Sequence, residues 1–329
     1  MSRTASPASH LPPPASEPVR IGVSACLLGE EVRFDRGHKR SSFVADQLGR
    51  YFELCSVCPE MAIGLGVPRE PIRLQGEPDA PRVVGVKSAD LDVTEPLHAY
   101  GRRMAAELGP ISGYVFKSKS PSCGLFRVKV YDVNGVSVGQ GRGAYAQALT
   151  QALPLLPVEE EGRLNDPVLR ENFIGRVYAY RRWQALLESG VTAKRLVDFH
   201  TAHKLALMAH HPGKTRALGR FVADLNGRPT EAVVADYGAR FMEVLGHRAT
   251  RKRHTDVLFH LMGYLKRVLA SDDKQELVGL IHDYRQGLVP LIVPVTLLRH
   301  HFRRHPDPYI EQQLYLNWQP AGLSLWNAI

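Results

Sequence analysis

The sequence predicts two domains of different class: an α/β domain with a mainly parallel, Rossmann-like sheet, followed by an all-α helical domain. In residues 19–150, short runs rich in β-branched and aromatic residues alternate with a helical run. After about residue 166, strand patterns give way to long segments of helical period. A chain of 329 residues is long enough for two separate cores. We therefore expect a leader at 1–18, an α/β domain at 19–160 and a helical domain at 161–329.

The first domain contains five strand-like runs, at 19–26, 51–58, 82–87, 113–118 and 127–132. A helical segment at 94–109 lies between the third and fourth runs. Thr94 is its expected N-cap, and Gly109-Pro110 is its expected stop. This alternation is typical of a layered α/β domain, in which ligands bind beyond the carboxyl ends of parallel strands.

The second domain contains helical segments at 166–189, 193–211, 231–246, 250–269 and 274–288. Breaks such as Pro212-Gly213 and Val289-Pro290 separate them at intervals typical of helix hairpins. The pattern predicts a compact helical bundle.

Composition limits the compartment and the partners. No run approaches the roughly 20 apolar residues of a membrane span, and the Pro-, Ser- and Ala-rich leader lacks the apolar core of a secretory signal. We therefore expect a disordered leader, a cytoplasmic protein and no membrane association. In a reducing compartment, its four cysteines are expected to be free, catalytic or metal-bound rather than paired as disulfides.

The positive charge of the chain is concentrated in its second half. Residues 1–160 hold 18 Lys and Arg against 17 Asp and Glu, whereas residues 161–329 hold 24 against 16. A surface with that excess attracts the phosphates of nucleic acids, although a merely solvated basic surface is the alternative. The residues we expect to contact RNA are Arg251, Lys252, Arg253, Lys266, Arg267 and Lys204. His200 and His203, three residues apart on one helix, are interpreted as a packed or phosphate-facing pair rather than metal ligands.

Three loops carry the candidate chemistry, at 24–39, 57–74 and 117–124. They contain Cys26, Cys58 and Cys123, each following a strand-like run, so the three cysteines are expected at one edge of the sheet. Thiolates in glycine-rich loops ligate iron or zinc. Two alternatives remain at this point: three buried, inert thiols, or a redox or zinc pair formed by Cys55 and Cys58.

The three motifs resemble the signature of the thiouracil desulfidase family. SACLLG with VRFDRGHK, VCPE with GLGVPREPIRL, and KSKSPSCG match in order and context. The resemblance implies that Cys26, Cys58 and Cys123 hold a [4Fe–4S] cluster with one iron lacking a protein ligand, and that Cys55 is a bystander. Such an iron acts as a Lewis acid on the sulfur of a thiocarbonyl while water attacks the ring carbon, without net redox change.

Attack by water requires a general base, and Glu60 or Glu53 is the predicted one. A carboxylate held by Arg69 or Arg73 is the alternative for either. Ser120 is predicted as a hydrogen-bond donor to the substrate or cluster, with Ser122 as a second donor and turn capping as the alternative. Arg33, Lys117 and Lys119 are interpreted as groups that receive a phosphate or a pyrimidine oxygen, or that are only solvated.

The second half resembles a helical bacterial domain often fused behind the desulfidase domain, through FHTAHKLALMAHHP, RKRHTDVLFHLMGYLKR, ELVGLIHDYRQGLVPLIVPVTLLRHH and YIEQQLYL. The fusion implies a desulfidase acting on 4-thiouridine in thiolated transfer RNA, with the helical domain holding the RNA. One alternative is a desulfidase of free thiouracil or thionucleosides. Another is a non-catalytic iron–sulfur protein that binds RNA or senses redox state.

Overall fold

The computed structural model describes residues 18–88, 90–225, 229–318 and 326. The expected leader lies outside the described residues, apart from Pro18. The chain divides into an α/β unit, Glu17–Asp166, and a helical unit that begins at Pro167. The sequence placed this division between residues 160 and 161.

The described part of the α/β unit contains eight strands and three α-helices, together with short 3₁₀ and π turns. The strands are β1 (Val19–Ser24), β2 (Phe52–Val57), β3 (Ile72–Gln75), β4 (Arg82–Gly85), β5 (Tyr114–Phe116), β6 (Val128–Tyr131), β7 (Ser137–Gly141) and β8 (Val158–Glu160). The helices are α1 (Pro59–Ala62), α2 (Thr94–Glu107) and α3 (Ala144–Ala152). All five predicted strands are present. Strands β3, β7 and β8 were missed because they are short and carry weak strand patterns.

The eight strands form two sheets rather than one. The first has the order β2-β1-β5-β8 and is parallel throughout, as predicted, with Ile21 and Val23 of β1 fully buried. The second has the order β4-β3-β6-β7, with antiparallel pairing of β3 with β4 and of β6 with β7. The connections 76–81 and 132–136 are too short for a parallel crossover, so these strands turn back as hairpins. The predicted strands at 82–87 and 127–132 therefore belong to a mixed sheet.

Helix α2 begins at Thr94, one residue earlier than predicted, since the sequence analysis expected Thr94 to be the N-cap. Val93 occupies the N-cap position, and Thr94 is already helical. The Thr94 hydroxyl accepts the Val83 N–H at 2.7 Å and donates to Asp92 at 2.6 Å, so it ties the helix to β4 instead of capping it. The helix ends before Gly109, whose φ of +63° suits glycine, as predicted.

The described part of the helical unit contains helices only. They are α4 (Pro167–Glu188), α5 (Ala193–His210), α6 (Pro212–Ala223), α7 (Glu231–Gly246), α8 (Arg251–Leu265), α9 (Ser271–Gln286), α10 (Ile292–Arg304) and α11 (Pro308–Glu311). Thr192, Thr230 and Thr250 accept backbone N–H groups at the starts of α5, α7 and α8. Pro212, predicted as a break, is the first residue of α6, where its missing N–H costs nothing.

Aromatic side chains fill the centre of the helical unit. Trp183, Phe199, Tyr237 and Phe241 are buried and meet mainly edge to face or tilted, with ring centroids 5.1–6.3 Å apart. Across the described residues, no helix is both long enough and apolar enough to cross a membrane.

Candidate active site

A cavity of about 410 Å³ lies at the carboxyl ends of the parallel strands β1, β2 and β5. Cys26, Cys58 and Cys123 all border it. This is the sheet edge at which the sequence placed them, and the position where α/β sheets bind ligands. Three loops that are far apart in the sequence therefore bring three thiols to one site.

Each cysteine is positioned by a different local structure. Cys26 lies in a 3₁₀ turn directly after β1, and its carbonyl accepts the Lys39 N–H at 2.9 Å, which closes the following loop. Cys58 is the N-cap residue of α1 and follows β2. Cys123 lies in a turn built on Ser120, whose hydroxyl oxygen accepts the N–H groups of Ser122 and Cys123 at 3.2 and 3.1 Å. Ser120 itself borders the cavity.

The Cys123 turn also packs tightly against the start of α3. The N–H groups of Ala144 and Ala146 donate to the carbonyls of Pro121 and Ser122, both at 3.1 Å. A Cβ on Gly143 would lie 2.6 Å from the Ser122 carbonyl carbon, so this approach requires glycine. The helix thus fixes the position of the third cysteine.

The three thiols are protonated in the absence of a ligand. Burial raises the pKa of Cys26 to about 11, raises that of Cys58, and raises that of Cys123 well above its usual value. The neighbouring cysteines raise the pKa values of Cys26 and Cys123 further, because three thiolates so close together repel one another. Any metal bound here must displace these protons.

The chemistry of the donor set suits an iron–sulfur cluster. Cys26, Cys58 and Cys123 border one cavity, and cysteine thiolates are the ligands that hold such clusters. Among the described residues, no group of three His, Cys, Asp or Glu side chains is arranged to hold a single metal ion.

Cys55 does not belong to this group. It lies on β2, half-buried, and its sulfur accepts a hydrogen bond from Arg20 at 3.3 Å. It is not among the residues that border the cavity. This position agrees with a bystander rather than a redox or zinc pair with Cys58.

Glu60 borders the cavity and has both of its oxygens engaged. Arg69 donates to Oε2 from Nε and Nη2, at 3.0 and 2.6 Å, and the Ser122 hydroxyl donates to Oε1 at 2.9 Å. The sequence analysis gave pairing with Arg69 or Arg73 as the alternative to a catalytic role for Glu60, and the pairing with Arg69 is present. Arg73 instead lies against the ring of Tyr131. Glu60 therefore joins the second and third cysteine loops as well as facing the site.

Glu53 is not brought to the site. It is the second residue of β2, whereas the cavity lies at the other end of that strand, and it forms a half-exposed ion pair with Arg20 at 3.0 Å. The prediction of Glu53 as a base beside the cysteines is therefore wrong: the side chain points into a surface pair at the amino end of the strand.

Five cationic side chains border the cavity: Arg33, Lys39, Arg69, Lys117 and Lys119. Lys117 is held by Glu161 and by the Ser118 hydroxyl, the latter at 2.9 Å. The buried Nε of Arg33 lacks a hydrogen-bond partner and forms a longer ion pair with Asp35, at 3.6 Å. Against this positive charge, Glu60 is the carboxylate among the described lining residues. The cavity therefore favours anionic ligands.

Sequence reasoning missed Lys39 and Glu161. Glu161 follows β8, a strand that was not predicted, so its place at the same sheet edge was not recognised. The short run Val158–Glu160 after a proline was the available signal.

The predicted RNA contacts separate into exposed and engaged side chains. Lys204, Lys252, Lys266 and Arg267 are exposed. Arg253 instead donates to the carbonyls of His210 and Arg248, and the Arg251 guanidinium lies over the ring of Tyr284, 5.6 Å from its centroid.

His200 and His203 form a buried, packed pair. The Nδ1 of His200 lies 3.3 Å from the Tyr237 hydroxyl, and the Nδ1 of His203 lies 2.7 Å from the Phe199 carbonyl. Burial lowers the pKa of His200 to about 4 and that of His203 well below its usual value. Both rings are therefore neutral parts of the core.

Fold and site together define an α/β protein with a three-cysteine cavity at its parallel strand ends, followed along the chain by a basic helical bundle. Residues 21–161 match the family model described as 2-thiouracil desulfurase, and residues 204–320 match one described as a protein of unknown function, DUF1722. The chain belongs to the 2-thiouracil desulfurase family and carries this second domain as a fusion.

Two curated relatives and one solved structure are similar to the chain. The uncharacterized protein YbgA of Escherichia coli (strain K12) is 33% identical over 151 residues, which are 46% of this chain and 89% of YbgA. The uncharacterized protein YbbK of Bacillus subtilis (strain 168) is 31% identical over 155 residues, 44% of this chain and 98% of YbbK. The [4Fe-4S]-dependent thiouracil desulfidase TudS is 36% identical, with 45% of this chain and 94% of TudS covered and a TM-score of 0.36.

Proposed function

We propose that this protein removes sulfur from 4-thiouridine in transfer RNA, giving uridine and sulfide by hydrolysis without net redox change. The observation that carries the proposal is the meeting of Cys26, Cys58 and Cys123 around one cationic cavity, in a domain of the 2-thiouracil desulfurase family. The similarity to a [4Fe-4S]-dependent thiouracil desulfidase supports the class of reaction.

Cys26, Cys58 and Cys123 are the residues that would hold a [4Fe–4S] cluster. With three protein ligands, such a cluster supplies one iron that is open to bind the thiocarbonyl sulfur as a Lewis acid. The buried, mutually repelling thiols must lose their protons for this binding, and the surrounding cations stabilise the resulting negative charge.

The cations also position a nucleotide. Arg33, Lys117 and Lys119 border the cavity and supply donors to a pyrimidine oxygen or to a neighbouring phosphate. Glu161 holds the Lys117 ammonium in place. A free base offers no phosphate, so this charge favours a nucleotide within RNA.

Proton transfer falls to Glu60 and Ser120. Glu60 is the lining carboxylate that can take the proton of the attacking water, provided that Oε1 releases the Ser122 hydroxyl. The Arg69 pair holds the Glu60 carboxylate in position beside the cavity. The oxygen of Ser120 accepts two backbone N–H groups, which leaves its own hydrogen to donate to the substrate.

The helical unit supports the choice of RNA as substrate. Its half of the chain carries the excess of Lys and Arg, and Lys204, Lys252, Lys266 and Arg267 are exposed to a partner. Phosphate contacts of this kind give affinity without reading sequence.

Free thiouracil is the second candidate substrate, because the family model is described by that base. Turnover on thiolated transfer RNA should exceed turnover on free thiouracil if the cavity cations and the helical unit act as proposed. Equal rates would favour the free-base enzyme.

The decisive experiment is anaerobic reconstitution with iron and sulfide, followed by incubation with thiolated transfer RNA. We expect loss of the near-ultraviolet absorbance of 4-thiouridine together with release of sulfide. Cys123→Ala should abolish both, whereas Cys55→Ala should retain them. A fully loaded cluster that leaves the absorbance unchanged would favour an iron–sulfur protein that binds RNA or senses redox state without catalysis.

A further inference from the structure

A second cavity, of about 170 Å³, lies wholly within the helical unit. Helices α4, α5, α8 and α9 contribute to its walls, together with Tyr315, Trp318 and Trp326. None of the cysteine-site residues borders it. It is therefore a site that the proposed desulfidase chemistry does not use.

A largely buried carboxyl group borders the cavity. Glu171 of α4 borders it, and burial raises the pKa of Glu171 to about 7. The backbone and indole N–H groups of Trp326 both hydrogen-bond to this carboxyl and oppose the shift. A carboxyl kept in such surroundings favours a ligand that donates a hydrogen bond to it.

Two neutral histidines add polar groups to the walls. Burial lowers the pKa of His210 to about 4 and that of His254 to about 3. The Nδ1 of His210 lies 2.6 Å from the His247 carbonyl, so it carries the hydrogen and leaves Nε2 as an acceptor. The Nδ1 of His254 lies 2.8 Å from the Tyr315 hydroxyl.

Aromatic side chains form a large part of the remaining walls. Trp318, Trp326, Tyr284 and Tyr315 all border the cavity. The Arg251 guanidinium, which also borders it, lies over the Tyr284 ring and supplies planar N–H donors. Aromatic faces beside in-plane donors and acceptors are the elements with which proteins bind a single base.

The volume of the cavity limits the ligand to a single ring. A cavity of about 150 Å³ accommodates benzene, so about 170 Å³ accommodates one six-membered ring with small substituents but not a fused purine. The polar groups of Glu171, His210 and Arg251 match a ring that carries hydrogen-bond donors and acceptors better than a purely apolar ring.

We propose that this cavity binds one uracil-type pyrimidine ring, with a ring N–H donated to Glu171 and a ring carbonyl accepting from Arg251. The ring lies among the tryptophan and tyrosine side chains. The same chemistry is offered by the free base, by uridine and by a base unstacked from single-stranded RNA. The exposed Arg248 and the half-buried Ala249 lie at the mouth of the cavity, where any of these would enter.

Tryptophan fluorescence of the full chain tests this directly. The protein has three tryptophans, Trp183, Trp318 and Trp326, all in the helical unit, and two of them border the cavity. We expect saturable quenching by uracil. The matched ligand 1,3-dimethyluracil has the same ring but no N–H donor, and should bind at least tenfold more weakly.

Two variants at the mouth separate this cavity from the rest of the protein. Ala249→Phe should weaken uracil binding at least tenfold by filling the entrance, and Arg248→Ala provides a second, milder change at the exposed rim. Arg285→Ala removes an exposed cation of α9 that does not border the cavity, and should leave binding unchanged. Cys123→Ala should also leave it unchanged, so failure of the desulfidase proposal does not affect this result.

Uracil, uridine and an oligouridylate strand are compared in the same assay. Tighter binding of the strand, lost in Ala249→Phe, identifies RNA as the source of the ring; equal or tighter binding of uracil identifies the free base. Absence of saturable quenching by all three ligands overturns the proposal. Equal quenching by 1,3-dimethyluracil, or quenching that Ala249→Phe leaves intact, overturns it as well.

Discussion

Arg69 places two of its nitrogens on a single oxygen of Glu60, at 3.0 and 2.6 Å. The same guanidinium donates to the carbonyls of Val32, at 2.8 Å, and Gly66, at 2.6 Å. Since Ser122 donates to the other Glu60 oxygen, one ion pair connects all three cysteine loops. The cavity therefore depends on a contact that involves none of the cysteines.

Replacing Arg69 should destabilise the α/β unit strongly. The Arg69 side chain is 6% exposed and that of Glu60 17%, so Arg69→Met leaves a buried carboxylate without its partner. We expect a loss of about 3–5 kcal/mol in the free energy of unfolding. Urea unfolding followed by circular dichroism measures it, with tryptophan fluorescence of the helical unit as an internal reference. Arg82→Met, which breaks an exposed pair with Asp92, should cost less than about 1 kcal/mol.

Iron content should depend on three of the four cysteines. After anaerobic reconstitution, Cys26→Ser, Cys58→Ser and Cys123→Ser should each lose most of the bound iron, because each removes one ligand from the cavity. Cys55→Ser is the matched control and should load as the natural protein does, since Cys55 contacts Arg20 instead. Iron and sulfide assays with the visible absorption spectrum report the result. Iron loss in Cys55→Ser would contradict this assignment.

The stability of the helical unit should depend on pH through Glu171. The pKa of Glu171 is about 7 in the folded chain and about 4.5 when unfolded, so between these values the folded state binds the proton and the unfolded state does not. Lowering the pH from 8 to 5 should therefore stabilise the natural protein by about 2 kcal/mol relative to Glu171→Gln.

The comparison with Glu171→Gln removes the contribution of the buried histidines. His210 and His254 have lowered pKa values and act in the opposite direction, but they are common to both proteins. Urea unfolding followed by tryptophan fluorescence at several pH values gives the difference. A difference that does not change with pH would show that Glu171 keeps its ordinary pKa.

RNA affinity should depend on salt through the exposed lysines. Each of Lys204→Ala, Lys252→Ala and Lys266→Ala should lower the slope of log affinity against log salt concentration by about 1 if the side chain contacts a phosphate. Lys129→Ala, an exposed change on β6 of the other unit, is the control. Filter binding of transfer RNA at several salt concentrations measures the slopes, and equal slopes for all four variants would place the RNA elsewhere.

Arg253→Ala should lower the stability of the helical unit rather than change the salt dependence of RNA affinity. Its guanidinium donates to the carbonyls of His210 and Arg248, so its removal takes a hydrogen bond from the part-buried His210 carbonyl. We expect a loss of about 1–3 kcal/mol in the stability of the helical unit. Chemical unfolding detected by tryptophan fluorescence measures this loss.

Local patterns in the sequence were sufficient to predict the kinds of elements and the meeting of the cysteines. Strand runs ending before Cys26, Cys58 and the Cys123 loop imply a shared edge, because the carboxyl ends of parallel strands coincide. The helical period of the apolar residues likewise identified most of the second unit. These patterns involve residues that lie close together in the sequence, so they can be recognised without a structure.

Only the tertiary structure decided what each side chain meets. Hairpins divide the strands between two sheets. Glu53 pairs with Arg20 at the amino end of β2, away from the cavity. Arg253 donates to backbone carbonyl groups of its own unit. Glu60 is joined to Ser122, 62 residues away, and the cavity around Glu171 gathers residues from 168 to 326. Such contacts follow from packing between distant segments, and their energies depend on burial, which has no local signature in the sequence.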